Sequence, residues 1–102
     1  MTVGWATQHI AALKRGETVR FRPHGGSMAG KVESGQLCTV EPLGENQARV
    51  GEIVLCSVRG AQYLHLVKAV RAGQVQIGNN RGGINGWTSV AQVYGRCVRV
   101  EP

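Results

Sequence analysis

The stretch EIVLCSVRGAQYLHLVKAVRAGQVQI, residues 52–77, has the pattern of three consecutive β-strands. Aliphatic and β-branched residues dominate three runs, at 52–58, 61–70 and 73–77. The sequences between them, VRGA and RAG, contain the glycine that is typical of tight hairpin turns. Short strands joined by such turns predict a mostly β protein with a small antiparallel, barrel-like sheet.

The sequence on either side adds three strands and one helix. Further strand-like segments lie at 17–22, 37–41 and 92–100. Before them, residues 6–15 place Ile10 and Leu13 on one face of a short N-terminal helix, and Gly16 ends it. We expect that face to pack against the sheet.

The segment GNNRGGINGWTS, residues 78–89, interrupts the strand pattern. Its glycines and asparagines predict an ordered loop, and an apolar anchor is needed to hold such a loop. Trp87 is therefore expected to be buried under residues 78–86. All 102 residues are expected to form one domain in two parts, the helical 1–16 and the β part 17–102.

Composition narrows the class of protein. The chain is 42% hydrophobic, enough for a core, and it contains no apolar run near the roughly 20 residues that cross a bilayer. Cys38, Cys56 and Cys97 are dispersed, without a C-x-x-C pair, which favours buried thiols over disulfides or a zinc site. We expect a cytoplasmic protein with no membrane span, no metal and no cofactor.

The charge is strongly basic, with 12 Lys and Arg against 6 acidic residues, and all the acidic residues are glutamates. A net charge of +6 can favour acidic partners. The basic residues are scattered, however, whereas nucleic-acid binders usually cluster them. A nucleic-acid partner is therefore the weaker expectation, a peptide or protein substrate is the stronger one, and a homodimer stays possible.

The stretch RPHGGSMAGKVESGQ, residues 22–36, sets a serine behind two glycines. Gly25 and Gly26 would let the chain turn tightly and present Ser27 at the mouth of a groove. A serine hydroxyl becomes a useful nucleophile only when a base takes its proton. A Ser-His-Asp triad is excluded because the chain has no aspartate, although a glutamate could orient the base in its place.

Two candidate bases, His65 and Lys68, lie in an otherwise apolar strand, YLHLVKAV. Side chains of a strand alternate between its two faces, so these two residues cannot both point at Ser27 unless a bulge intervenes. The ordinary explanation for each is structural, as a hydrogen-bonded histidine and a solvated lysine. The sequence alone leaves the choice of base open.

Four segments, GGSMAGKVESGQLCTV, VGEIVLCSVRGAQYLHLVKAV, QIGNNRGGINGW and VYGRCVRV, occur in a characteristic order. In order and spacing they resemble the superfamily of serine–lysine peptidases. This superfamily includes bacterial signal peptidases and the self-cleaving C-terminal domains of SOS and phage repressors. The resemblance covers roughly residues 19–100 and implies the signal-peptidase-like fold.

The resemblance also implies roles for individual residues. The family's nucleophile falls on Ser27, and the position of its general base falls on His65. The eukaryotic and archaeal signal peptidase branch is similar in using histidine there, and Lys68 is the reserve. The Ser27 amide is expected to stabilise the oxyanion. Further substrate or oxyanion contacts are expected from Gly25, Gly26 and Met28.

The leading functional expectation is a soluble bacterial or phage-type serine peptidase that cleaves a peptide partner in trans through Ser27 and His65 or Lys68. The alternative is a non-catalytic regulatory module of phage or stress type that keeps the fold and binds a peptide or protein. The two differ in whether Ser27 lies within hydrogen-bond reach of its base in an accessible cleft.

Overall fold

The computed structural model describes residues 4–44 and 47–102. Within these residues, one α-helix and seven strands make a mostly β protein, as the sequence predicted. In chain order the elements are α1 (Thr7–Lys14), β1 (Val19–Phe21), β2 (Leu37–Pro42), β3 (Ile53–Val58), β4 (Ala61–Arg71), β5 (Gln74–Gly78), β6 (Ile84–Ser89), a short 3-10 helix (Val90–Gln92) and β7 (Val93–Glu101).

The seven strands form one antiparallel sheet in the order β1-β2-β7-β3-β4-β5-β6. The sheet is not closed, so β1 and β6 are its edges. It nevertheless curls, so that β6 comes close to β3 although β4 and β5 lie between them in the sheet. The Thr88 hydroxyl of β6 donates a 2.7 Å hydrogen bond to the Ser57 carbonyl of β3. The barrel-like expectation thus holds as curvature without closure.

Both expected hairpins are present. Arg59 and Gly60, between β3 and β4, have φ of 51° and 82°. Ala72 and Gly73, between β4 and β5, have φ of 38° and 80°. Two successive residues with positive φ are the signature of the type I′ turn, whose twist matches that of the strands it joins.

The curled sheet has a hydrophobic core on each face. The first core lies under α1, where Ile10 and Leu13 are buried against Leu55 and Leu66, which confirms the predicted face of the helix. The second core lies within the curl and includes Val54 and other side chains that point to the face of the sheet opposite Leu55. Other buried members of the second core are Leu43, Ala48, Cys56, Val58, Val67, Val75, Ile77 and Val93. Strand alternation therefore divides the apolar residues between two layers.

The prediction of a loop over 78–89 is wrong for its second half. β6 occupies Ile84–Ser89 and pairs with β5. A ladder of backbone hydrogen bonds forms whatever the side chains are, so an edge strand can tolerate glycine and asparagine. Trp87 is only half-buried, not buried as expected. Instead, the Arg71 guanidinium lies 4.4 Å from the centre of its ring.

The cysteines are structural in character. Cys38 and Cys56 are fully buried, Cys97 is half-buried, and all three are free thiols. Burial raises the pKa of Cys38 and of Cys56 to about 12, so neither forms a thiolate at neutral pH. Among the described residues, no helix is both long and apolar enough to cross a membrane.

Candidate active site

The loop between β1 and β2 holds Ser27 at the surface. Gly25 has a φ of +116°, which only glycine adopts without strain, and it turns the chain just before the serine. Immediately after the serine, Met28 is 5% exposed and buried in the first core. The backbone N–H of Val32 donates back to the Met28 carbonyl at 2.8 Å. A buried anchor beside an exposed serine fixes where the hydroxyl stands.

A second loop, residues 79–83, supports this serine turn from the other side. The backbone N–H of Asn80 donates to the Ser27 carbonyl at 3.0 Å, and its side-chain amide donates to the Ala29 carbonyl at 2.8 Å. The loop is itself closed by Asn79, whose Oδ1 accepts hydrogen bonds from two backbone N–H groups of the loop. The nucleophile candidate therefore sits on two loops tied to each other by hydrogen bonds.

His65 of β4 faces the serine. Its Nε2 lies 3.1 Å from Ser27 Oγ, which is the contact that strand parity and the resemblance led us to expect. The imidazole is 8% exposed, and its ring stacks on Tyr63 with ring centres 4.9 Å apart. Because Ser27 itself is exposed, a ligand can reach the hydroxyl while the imidazole stays largely shielded.

Asn85 of β6 completes the arrangement, and sequence reasoning missed it. Its Oδ1 lies 2.7 Å from His65 Nδ1. With the Asn85 amide oriented so that its oxygen faces the ring, Nδ1 is the hydrogen-bond donor and Nε2 presents its lone pair to Ser27. The order Ser27–His65–Asn85 is thus a Ser-His-Asn relay with the tautomer that a general base needs.

A β-bulge aims Asn85 at the histidine. In the pairing of β5 with β6, Ile77 faces Gly86 and Gly78 faces Ile84, which leaves Asn85 as the extra residue. Bulges of this kind redirect a side chain and recur beside active sites. The only sequence signal was an asparagine among glycines, which equally describes a turn.

The environment of His65 favours the neutral imidazole. Burial lowers its pKa from the ordinary value of 6.5, and the hydrogen bond with Asn85 opposes that effect only in part. A histidine with a lowered pKa is unprotonated at neutral pH and can accept the serine proton.

Lys68 is not brought to the serine. It lies in a second bulge, where β4 pairs Val67 with Ile77 and then Ala69 with Gln76. Its Cε lies so close to Gly78 that a Cβ on that glycine would stand 2.9 Å away. A lysine base required a bulge in this strand, and β4 does contain one. The bulge comes after His65, however, so Tyr63 and His65 still point to the same face of the strand.

The three residues expected to contact substrate have different roles in the structure. The Gly25 N–H already donates to Ser34 Oγ at 3.1 Å, so that amide is occupied. Gly26 accepts a 3.2 Å hydrogen bond from the Ala29 N–H through its carbonyl. The Met28 side chain is buried in the core. Within the described residues, the N–H groups of Gly26, Ser27 and Met28 make no hydrogen bond, so these three amides of the turn are free to donate to an oxyanion.

A cavity of about 530 Å³ opens beside the relay, with Ser27 and His65 in its wall. Leu64 and Met28 give it an apolar lining, and Trp5 and Arg22 also line it. Apolar walls with a few convergent polar groups are typical of ligand sites.

One wall of the cavity is a free strand edge. β5 pairs with β4 only from Leu66 onward, so residues 61–65 of β4 pair with β3 alone. The Gln62 carbonyl points away from β3, because it accepts a 3.2 Å hydrogen bond from Trp5 Nε1. Backbone groups alternate along a strand, so the N–H and C=O of Leu64 face the same open side.

The described residues contain no group of three His, Cys, Asp or Glu side chains close enough to hold a metal ion. Comparison of the chain with protein-family models and with curated proteins gave no match.

Proposed function

We propose that the protein is a serine hydrolase of signal-peptidase-like type that cleaves peptide bonds in trans. Ser27 is the nucleophile, His65 the general base and Asn85 the residue that orients the base. One observation carries the proposal: Ser27 Oγ lies 3.1 Å from His65 Nε2 while Nδ1 of the same ring lies 2.7 Å from Asn85 Oδ1. A turn serine with no chemical role needs neither contact.

In the first step, the Ser27 hydroxyl attacks the substrate carbonyl carbon and its proton passes to His65 Nε2. The carbonyl oxygen becomes an oxyanion, which the backbone N–H groups of Ser27 and Met28 stabilise. The imidazolium that forms keeps its Nδ1–H hydrogen bond to Asn85. An amide dipole stabilises this cation less than a carboxylate would.

In the second step, the imidazolium donates its Nε2 proton to the leaving amine as the C–N bond breaks, which leaves an ester on Ser27. Water then attacks the ester, and His65 takes a proton from this water. The same imidazole returns the proton to Ser27 Oγ as the acid product departs. Each proton removed is returned, so the chain is unchanged by the cycle.

The free edge of β4 supports a peptide as substrate. An extended peptide can pair with the outward N–H and C=O of Leu64 and extend the sheet. Such pairing recognises the main chain, and the apolar cavity receives alternate side chains. It places the scissile bond along the cavity wall that holds Ser27 and His65.

The test is covalent labelling of Ser27 by a fluorophosphonate probe. The wild-type chain is expected to be labelled, with the adduct found on the peptide that contains Ser27. Ser27→Ala should abolish labelling, and Ser89→Ala, the same change at an exposed serine away from the cavity, should leave most of it. Labelling of the chain at another residue, or none, would overturn the proposal.

A second function is supported by the cavity itself. The apolar walls and the free β4 edge can bind an extended peptide without cutting it, which is the regulatory-module alternative. The two functions separate cleanly by experiment, because a binding module would bind peptide equally well as wild type and Ser27→Ala, and neither protein would produce cleavage products.

A further inference from the structure

We infer that the peptide recognised at this site carries a carboxylate side chain close to the scissile bond, and that Arg81 binds it. The inference rests on the proposed function, because it specifies the substrate class of the same site. It begins with the position of Arg81, in the 79–83 loop that supports the serine turn.

The Arg81 guanidinium is held beside the nucleophile. A Cβ built on Gly26, the residue before the serine, would lie 3.7 Å from Arg81 Nη1. The Arg81 backbone N–H donates to Asn79 Oδ1 at 2.8 Å, and the next hydrogen bonds of this loop reach the Ser27 and Ala29 carbonyls. The base of the side chain is thus fixed relative to the serine turn.

Nothing among the described residues accepts a hydrogen bond from this guanidinium. Two other arginines show what a structural arginine does here: Arg22 donates to the Gly35 carbonyl and Arg96 donates to the Gln47 carbonyl, each at 2.8 Å. Arg81 is exposed and makes no such bond. Its planar donor face is free for an acceptor that arrives with a ligand.

The surroundings of the serine turn carry excess positive charge. Three ion pairs occur in the described part of the chain, and all lie elsewhere: Arg15–Glu17, Arg96–Glu52 and Arg99–Glu101. Arg22, Lys31 and Arg81 stand on or beside the serine turn without a carboxylate within ion-pair distance. The turn's one carboxylate, Glu33, accepts the Gly30 N–H at 2.9 Å. Charge complementarity therefore favours an acidic peptide over a basic one.

Arg81 does not line the cavity, whereas Gly25 and Ser27 do. A peptide seated in the cavity must pass the serine to reach the guanidinium. The carboxylate is therefore expected within a short window of positions on one side of the scissile bond, and the cavity itself should prefer apolar side chains.

The experiment measures binding to Ser27→Ala by fluorescence polarisation, so it does not depend on catalysis. The probes are fluorescein-labelled, alanine-rich decapeptides in which each position in turn is Glu, Gln or Lys. We expect a window of one to three positions where Glu binds up to about fivefold more tightly than Gln, with Lys weakest. The preference should shrink at high salt.

Variants of Arg81 identify the group responsible. In the Ser27→Ala background, Arg81→Gln should remove the preference and Arg81→Glu should reverse it toward Lys. Arg99→Gln is the matched control, since it changes the net charge equally on β7, and the preference should survive it. A preference that Arg81→Glu leaves in place would overturn the inference.

Two further outcomes separate this inference from the proposed function. If the wild type cleaves these peptides with no dependence on charge, the inference fails and the proposed function stands. If a single-stranded oligonucleotide displaces the peptides from the Arg81 side in an Arg81-dependent manner with higher affinity, the guanidinium serves phosphate and the inference fails.

Discussion

The two halves of β4 differ in what surrounds them. Residues 61–65, the open half, pair with β3 only, and their other side faces the cavity, whereas Leu66–Arg71, the paired half, pair with β5. The open half carries His65 and the paired half carries the other candidate base, Lys68, but only His65 meets Ser27. Lys68 in the paired half lies in a bulge over Gly78. Strand pairing, more than residue type, decides which base is available to the serine.

The largest expected effect tests that contrast directly. His65→Ala should slow fluorophosphonate labelling of Ser27 by about a thousandfold or more, because the general base is lost. Lys68→Ala should leave the labelling rate within about twofold. If the Lys68 variant lost labelling and the His65 variant kept it, Lys68 and not His65 would be the base that activates Ser27.

Asn85 sharpens the contrast, because it serves only the open half. Asn85→Ala should slow labelling by about a hundredfold, since the imidazole loses the acceptor that fixes its tautomer. Asn85→Asp should retain activity and move the pH midpoint of labelling upward, because a carboxylate favours the imidazolium. An unchanged midpoint in the Asp variant would place residue 85 outside the relay.

The paired half should respond in stability. In Gly78→Ala the new Cβ would meet the Gly83 carbonyl oxygen and Lys68 Cε, so we expect unfolding to be easier by about 1–3 kcal/mol. Urea denaturation measures the change. Adding Lys68→Ala should recover only part of the loss, because the backbone contact remains. Full recovery would assign the whole cost to the lysine.

The smallest expected effect is a pH dependence from the open half. Burial makes the folded-state pKa of His65 lower than its unfolded value of 6.5. Its contribution to stability is therefore complete above about 6.5 and declines as pH falls toward the folded-state pKa. Labelling should decline over the same range. The difference in unfolding free energy between wild type and His65→Gln, measured from pH 8 to 5, isolates this contribution, and a difference that grows with acidity would contradict it.

Much of the paired region could be predicted because its signals are local. Apolar periodicity located β3, β4 and β5, and the Arg59-Gly60 and Ala72-Gly73 turns fixed their antiparallel pairing. The same alternation put His65 and Lys68 on different faces. Each of these inferences needs only neighbouring residues.

The remainder depends on contacts between residues distant in the chain. β6 was predicted as a loop because its glycines and asparagines are typical of loops. It forms a strand because backbone hydrogen bonds to β5 hold it at the edge of the sheet. Asn85 was missed for the same reason, since a bulge is a property of paired strands and not of one segment. Arg81 acquires significance only when Asn80 ties its loop to the serine turn.

The Trp5 indole, which lines the cavity, can report ligand binding through its own fluorescence. Trp5 is 52% exposed, packs edge-on against Phe21 and hydrogen-bonds to β4 where the open edge begins. A ligand that enters the cavity changes the polarity around this ring, and indole emission shifts with polarity. Replacing the other tryptophan, Trp87→Phe, leaves Trp5 as the single tryptophan, which can be excited selectively over tyrosine. Occupancy can then be followed in real time without attaching a dye to either protein or ligand.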